Sequence, residues 1–404
     1  MELVIHNERI QPHEARGLME LCPFGAFDYA DGALSLNAAC KMCSLCVKKG
    51  PFGAVTLEQP AKGTLDKSLW NGIAVFAERQ GGFLHPVTFE LLAKARELAG
   101  ATGARVMALL MGEDVAAPAK ELCYYGPDEV YYYDHPALKE FTAEPYTAAF
   151  CDFIRRVAPS SVLVGATSLG RSLAPRVAAR YQTGITADCT KLLINEDADL
   201  VQIRPAFGGN IMAEILTSAA RPQLCTVRYK VFDAMPRGEY AETEPVRLEI
   251  DDKQLAAGCR VLKTERKPAF TDIADAEIIV AAGRGIKSRE GLALVEELAD
   301  LLGAQLACTR PLAENGWFDP RRQIGLSGRS VKPKLIVTCG VSGSVQFAAG
   351  MGGAERIVAI NQDPDAQIFN IAHYGAVGDL YEIIPEFISE LRKGKRDGNR
   401  YPVL

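Results

Sequence analysis

The 404-residue sequence carries no surplus of positive charge: 45 Lys and Arg stand against 50 Asp and Glu, a formal net charge of −5. That balance supplies no basic field for nucleic acid or an anionic membrane. No uncharged apolar run reaches the ~18–20 residues of a membrane span. The opening MELVIHNERIQPHEAR is without the basic-then-apolar order of a secretory signal. Heptad repeats and low-complexity tracts are missing as well. What remains is 48% hydrophobic and 24% charged, which excludes a disordered or fibrous chain. The length predicts two or three domains, each able to bury a core. The expectation is a water-soluble cytoplasmic protein with neither nucleic acid nor membrane insertion among its interactions.

Eleven cysteines are an odd number in a chain with no export signal, which argues against a disulfide framework. Seven of them (Cys123, Cys151, Cys189, Cys225, Cys259, Cys308 and Cys339) are scattered singly and read as small buried hydrophobes. The other four are grouped: Cys40, Cys43 and Cys46 form C-x-x-C-x-x-C, and Cys22 precedes Pro23. Two-cluster bacterial ferredoxins repeat C-x-x-C-x-x-C-x-x-x-C-P, and the fourth cysteine of each run ligates the other run's cluster. Here the second run has Gly50 in its fourth position, before Pro51. The first run keeps only its fourth, Cys22, and has Pro12, Ala15 and Leu18 at its first three. The survivors are therefore the complete ligand set of one cluster, and the missing residues are the complete set of the other. One [4Fe–4S] cluster on Cys22, Cys40, Cys43 and Cys46 is the economical account. Four thiolates also suit zinc, although zinc sites favour two C-x-x-C pairs separated by a loop. Phe24-Gly25-Ala26-Phe27 and Phe52-Gly53-Ala54-Val55 follow each Cys/Gly-Pro as matched turns.

The pattern predicts an α/β protein: a small ferredoxin-like α+β module over 1–65, then two α/β domains with mainly parallel sheets over 66–266 and 267–404. Gln59 to Thr64 reads as a linker. Beyond it, strands 72–78, 104–111, 129–134 and 161–166 alternate with helices 88–100, 146–158 and 171–182. Helix 88–100 spaces Leu91, Leu92, Ala95 and Leu98 along one face. Strands such as SVLVGA are apolar throughout, as in a sheet covered on both sides. A polar stretch near Arg266-Lys267-Pro268 opens the next block. Its strands are 276–282, 304–308, 334–339 and 356–360, and its helices 288–302, 343–350 and 381–393.

Open parallel sheets bind ligands at the carboxyl ends of their strands. In the last block those ends carry Arg284, Arg310, the Gln323-to-Gly328 loop with Ser327, Gly340-Val341-Ser342-Gly343-Ser344, Asn361 and Asp379. Glycines admit a ligand close to the backbone, and Ser342-Gly343-Ser344 opens a helix whose free N–H groups suit phosphate. Two arginines, hydroxyls and an Asn/Asp pair suggest a dinucleotide, while each turn taken alone is equally a plain turn or cap. The block has no G-x-G-x-x-G and no G-x-x-x-x-G-K-[ST], so neither a Rossmann fingerprint nor a P-loop is indicated.

These residues resemble a known family. The stretch from Arg310 to Pro385, with RPLAENGWFDPRRQIGLSG and LIVTCGVSGSVQFAAG, resembles the FAD domain of the electron transfer flavoprotein alpha subunit. LVGATSLGRSLAPRVAARYQTGITADCT (163–190) and RPAFGGNIMAEI (204–215) are similar to its other domain, and the resemblance covers about residues 70–395. An alpha subunit with a ferredoxin-like extension looks like those of bifurcating complexes built around acyl-CoA-type reductases, such as caffeyl-CoA reductase, or lactate dehydrogenases. The resemblance implies FAD, with Arg310 over the flavin ring and Ser327 near its N5. It places Arg284, Ser342, Gly343 and Gln346 around ribityl and pyrophosphate, Asn361 and Asp379 near adenosine, and Gln323, Gly328 and Gly340 in the same shell. A fixed cation beside N5 would favour negative charge on the reduced ring. Two positions depart from the family: Phe347 stands where a histidine usually contacts a flavin carbonyl, and Ala372-His373-Tyr374-Gly375 replaces A-D-Y-G. His373 reads as an exposed turn residue.

The implied function is an electron relay through FAD and the cluster. Its implied partners are a beta subunit with its own FAD and NADH site, a flavin dehydrogenase or reductase, and ferredoxin. A non-bifurcating electron carrier is the alternative. A zinc-containing adenine-nucleotide-binding α/β protein is the second.

Overall fold

The structure, a computed structural model, describes residues 2–30, 32–37, 40, 43–58, 65–206, 211–241, 243–265 and 271–396. The expected linker 59–64 and the stretch 266–270 lie outside the described residues. The chain separates into two compact units, Met1–Leu65 and Asp66–Leu404.

In the first unit, β1 (Glu2–Ile5) pairs antiparallel with β4 (Val55–Glu58), and β2 (Phe27–Ala30) with β3 (Ala33–Leu36). Helix α1 (Pro12–Leu21) starts on a capping box between Gln11 and Glu14, with Pro12 at its first position. It turns Ala15 and Leu18 inward, 0% and 1% exposed. A short helix α2 (Leu45–Lys49) carries Cys46, the last cysteine of the triplet.

The second unit contains two parallel sheets. The first has strands β5 (Ile73–Ala77), β8 (Val106–Gly112), β9 (Glu129–Asp134), β10 (Ser161–Gly165), β11 (Ile185–Cys189), β15 (Gln223–Val227) and β16 (Val246–Arg247). Their order is β11-β15-β10-β5-β8-β9-β16, parallel throughout. Helices α3 (Val87–Thr102), α4 (Ala116–Leu122), α5 (Ala143–Val157) and α6 (Ser168–Arg180) connect them. Ile73, Val75 and Ala77 of β5 enter one core, with Leu91, Leu92, Ala95 and Leu98 of α3. Ala74 and Phe76 enter the core on the opposite side, with Phe150 and Phe153 of α5. Both sides of the strand are buried, and so the strand is apolar at every position. Each large side chain buried there contributes roughly 2 kcal/mol.

Strands β11, β15 and β16 and helix α4 were not anticipated, nor were two antiparallel features. A hairpin joins β6 (Arg79–Gln80) and β7 (Phe83–Leu84), and an antiparallel sheet is formed by β12 (Lys191–Ile194), β13 (Leu200–Ala206) and β14 (Ile211–Leu216).

The second parallel sheet comprises β17 (Ile278–Ala282), β18 (Gln305–Cys308), β19 (Leu335–Cys339), β20 (Arg356–Asn361) and β21 (Tyr374–Val377), in the order β18-β17-β19-β20-β21. Helices α7 (Arg289–Leu302), α8 (Arg310–Glu314), α9 (Val345–Ala348) and α10 (Leu380–Arg396) accompany it. Helix α9 is half the expected length, because Gly350 onward folds back as a turn against Gly325. Among the described residues no helix is long and apolar enough to cross a membrane.

Candidate functional sites at the thiol cavity and the strand ends

Cys22, Cys40, Cys43 and Cys46 line one cavity in the first unit, enclosed by Leu3, Pro23, Phe24, Ala26, Phe27, Leu36 and Leu45 and holding about 320 Å³ of atom-free space, its open mouth included. Cys22 ends α1, and its sulfur accepts the Ala26 N–H at 3.5 Å. Burial pushes the Cys46 thiol up, and the sulfurs of Cys40 and Cys43 push it the same way. Thiolates crowded in an apolar cavity repel one another until cationic iron or zinc neutralises them. Among the described residues, no three His, Cys, Asp or Glu converge as a group that could hold a single metal ion. The donor chemistry is that of soft thiolates around an apolar space, which suits a cluster.

The matched turns are real. Gly25 and Gly53 both take positive φ (58° and 74°), and Ala26 and Ala54 are both buried behind them. Positions at which the repeated ferredoxin spacing lacks a cysteine are closely packed. Ala15 and Leu18 pack into the core of the unit. A Cβ on Gly50 would collide with the Cys46 carbonyl and lie 2.7 Å from Leu18 Cδ2. The vacant fourth position of one run and the substituted third position of the other therefore touch each other.

Six of the scattered cysteines are buried, as expected, whereas Cys259 is exposed. It stands in an irregular segment after the seven-stranded sheet, so no sheet or helix covers it. Burial pushes Cys308 and Cys339 up to about 12, which keeps them as protonated packing groups at the ends of β18 and β19.

At the carboxyl ends of the five-stranded sheet, the backbone knits the candidate loops together. Gly285 N–H donates to the Gly340 carbonyl and Gly340 N–H to Ile360, both at 2.9 Å. Leu326 N–H donates to the Gln346 carbonyl at 2.9 Å, and Ile368 N–H to Ser342 at 3.1 Å. Arg284, Arg310, Ser327, Ser342, Gln346 and Asp379 are exposed on this face, with Gly328, Gly340 and Asn361 half-buried beside them. Gln323 is buried, and its Nε2 donates to Ser327 Oγ at 2.7 Å, which orients the hydroxyl. Arg310 pairs with Glu314 at 2.7 Å. Asn361 donates to the Val341 carbonyl at 2.8 Å, and the Asp379 carboxylate accepts Tyr381 N–H at 2.9 Å. Both thus serve as turn and cap residues as well.

Glycine is required at two points of this cradle. Gly343 has φ +81°, and a Cβ there would strike the Ile368 backbone nitrogen. Gly340 has φ +65°, with Gly285 Cα 2.8 Å from its would-be Cβ. Phe347 is buried in the core under the cradle with Ile324 and Met351. The exposed His373 accepts Ile357 N–H on Nδ1 at 3.0 Å.

The sequence is similar to those of known proteins. Residues 73–253 match the electron transfer flavoprotein domain, and residues 272–352 the electron transfer flavoprotein FAD-binding domain. The LctC subunit of lactate dehydrogenase (NAD(+),ferredoxin) from Acetobacterium woodii is 54% identical over 385 residues, 95% of this chain and 92% of that protein. The electron transfer flavoprotein subunit alpha of Thermoanaerobacterium thermosaccharolyticum is 41% identical over 330 residues, 81% of this chain and 99% of its own length. The acryloyl-CoA reductase electron transfer subunit beta of Anaerotignum propionicum is 36% identical over 367 residues, 83% and 99% of the two chains. The chain belongs to the electron transfer flavoprotein family, as an alpha subunit.

Proposed function

We propose that this alpha subunit relays electrons through one FAD and one [4Fe–4S] cluster within an NADH-dependent bifurcating complex, beside a beta subunit, ferredoxin and a flavin dehydrogenase. The observation that carries the reading is the set of four thiols around one cavity, in a chain that also has the family's FAD-binding domain. The similarity to LctC, a lactate dehydrogenase (NAD(+),ferredoxin) subunit, favours a lactate dehydrogenase as the flavin-bearing partner over an acyl-CoA-type reductase. The cytoplasm is the compartment this chemistry suits, since thiols stay reduced there.

FAD supplies one- and two-electron chemistry when bound, and an iron–sulfur cluster one-electron exchange. The residues of this chain bind and tune. Arg310 brings a cation and Ser327 a hydroxyl held by Gln323. Beside the close turns at Gly340 and Gly343, Arg284, Ser342 and Gln346 would hold the ribityl and pyrophosphate, and Asn361 and Asp379 the adenosine. A cation beside the ring stabilises added negative charge there. In the first unit, Cys22 and the triplet would hold iron, and the buried Phe27 beside them would limit water at the sulfurs and so tune the potential.

The test is anaerobic purification with the co-expressed partner chains. The expected result is iron at four per chain, FAD on this subunit, and lactate-dependent NAD(+) reduction only when reduced ferredoxin is supplied. Zinc in place of iron would sink the cluster, and ferredoxin-independent turnover would reduce the protein to a plain carrier.

A further inference from the structure

Residues 228–233 leave β15 and cross from the seven-stranded to the five-stranded half of the second unit, holding both. Toward the first half, the buried Glu90 of α3 accepts Lys230 N–H at 3.0 Å and also takes the N–H groups of Val231 and Phe232. Lys230 has φ +65°, which turns successive N–H groups onto one carboxylate. Toward the second half, Tyr229 donates to Asp275 at 2.8 Å and Lys332 pairs with Asp233.

The contact with most consequence is made by Arg228. Its guanidinium donates to the carbonyl of Leu326, the residue before Ser327. The Leu326 N–H is already held by the Gln346 carbonyl, so the backbone is fastened on both sides of Leu326. Arg228 is itself held: its side chain is 11% exposed and lies 3.4 Å from Asp188. Asp188 sits at a register shift in β11 with φ +59°, and its backbone N–H donates to Thr226 Oγ1. The bulge directs its carboxylate toward Arg171, which grips it through two hydrogen bonds at 3.1 and 3.0 Å. Arg204 acts on Arg228 as a further like charge. Three arginines and one aspartate thus leave positive charge behind the Ser327 loop. A half-buried guanidinium would not be spent on a carbonyl whose position was indifferent, because removing it strands both the carbonyl and Asp188.

We propose that Arg228 is a positioning residue for the flavin-facing loop: from the seven-stranded half it fixes the Leu326 carbonyl, and through that peptide the placement of Ser327 and the field at the ring edge. The inference rests on the reading of Ser327 as a flavin neighbour.

The experiment uses Arg228→Gln, Arg228→Lys and Asp188→Asn in the full chain with its partner subunit. Amide hydrogen exchange over residues 324–329 is measured after FAD removal, and the flavin midpoint potential and visible spectrum after reloading. Arg228→Gln is expected to speed exchange several-fold in that loop, and to lower the potential at wild-type FAD content. Asp188→Asn is expected to speed exchange at the same amides. Arg228→Lys keeps the charge without the fork, so it should hold the potential nearer wild type while exchange stays fast. Wild-type exchange in both Arg228→Gln and Asp188→Asn overturns the clamp. In Arg228→Gln, fast exchange with an unchanged potential and spectrum overturns the positioning role. Wild-type protein that takes up no FAD overturns the flavin reading instead, and the exchange result still decides the clamp.

Discussion

Gly50 and Leu18 show packing in the first unit reaching down to single residues. Each occupies a position that a two-cluster ferredoxin gives to cysteine, and the two are packed so closely that a Cβ on Gly50 would lie 2.7 Å from Leu18 Cδ2. The remaining thiols are expected to act as a set. Cys43→Ser is conservative in size at an exposed position, so the second unit should keep its circular dichroism while iron per chain falls to background. Retention of full iron would remove Cys43 from the ligand set. Glu90 gives a residue-scale pH prediction. Burial raises its carboxyl from 4.5 to about 7, against the opposing pull of the 230–232 N–H groups and the Lys230 charge. Between those two values the folded chain holds a proton that the unfolded chain has released, so stability falls as pH rises through the window, by on the order of 3 kcal/mol in all. Glu90→Gln should flatten that slope in thermal unfolding between pH 5 and 7.5; an unchanged slope would show that Glu90 is not the titrating group.

Elements place the strand-end site. Five parallel strands bring five loops to one face, and short backbone hydrogen bonds between the loops leave no slack for a side chain at Gly340 or Gly343. Gly343→Ala demands a positive φ and a collision with Ile368, and is expected to cost about 2 kcal/mol or more. FAD retention through gel filtration should drop with it. A variant with wild-type flavin content and melting temperature would show that this turn does not carry the cofactor. Element identity was readable because the cause is local. Strand β5 is apolar at each position because helices cover both faces, and α3 shows its stripe because only one face is buried. The antiparallel β12–β14 sheet was not readable by that route, since its residues are mixed in exposure and its pairing depends on partners far along the chain.

At the scale of the whole molecule, the two units differ in what holds them. The first has only a small apolar core, with eight buried residues in its main cluster, so a cluster held as proposed would supply a large share of its stability. The second buries a core on each side of two parallel sheets. Iron removal by chelation should therefore melt the first unit alone, seen as loss of a low-temperature unfolding step with the main transition unmoved. A chain reduced to residues 66–404 should remain folded and take up FAD with its partner subunit, consistent with an alpha subunit that aligns along 99% of its own length with 81% of this one. An insoluble 66–404 fragment would contradict the division.

Spacing alone singled out the four grouped cysteines and much of the strand–helix alternation, because these follow from short-range pattern: cysteine intervals, apolar periodicity and glycine at turns. Distance in the chain hid the rest. Nothing local in Thr226-Val227-Arg228 marks it as the residue that reaches Leu326, nearly a hundred positions later, and nothing local at Gly50 announces Leu18. Those contacts exist only once packed sheets and helices have brought remote backbone within hydrogen-bond or van der Waals range, and it is that packing, rather than composition, that sets the environment of the proposed redox groups.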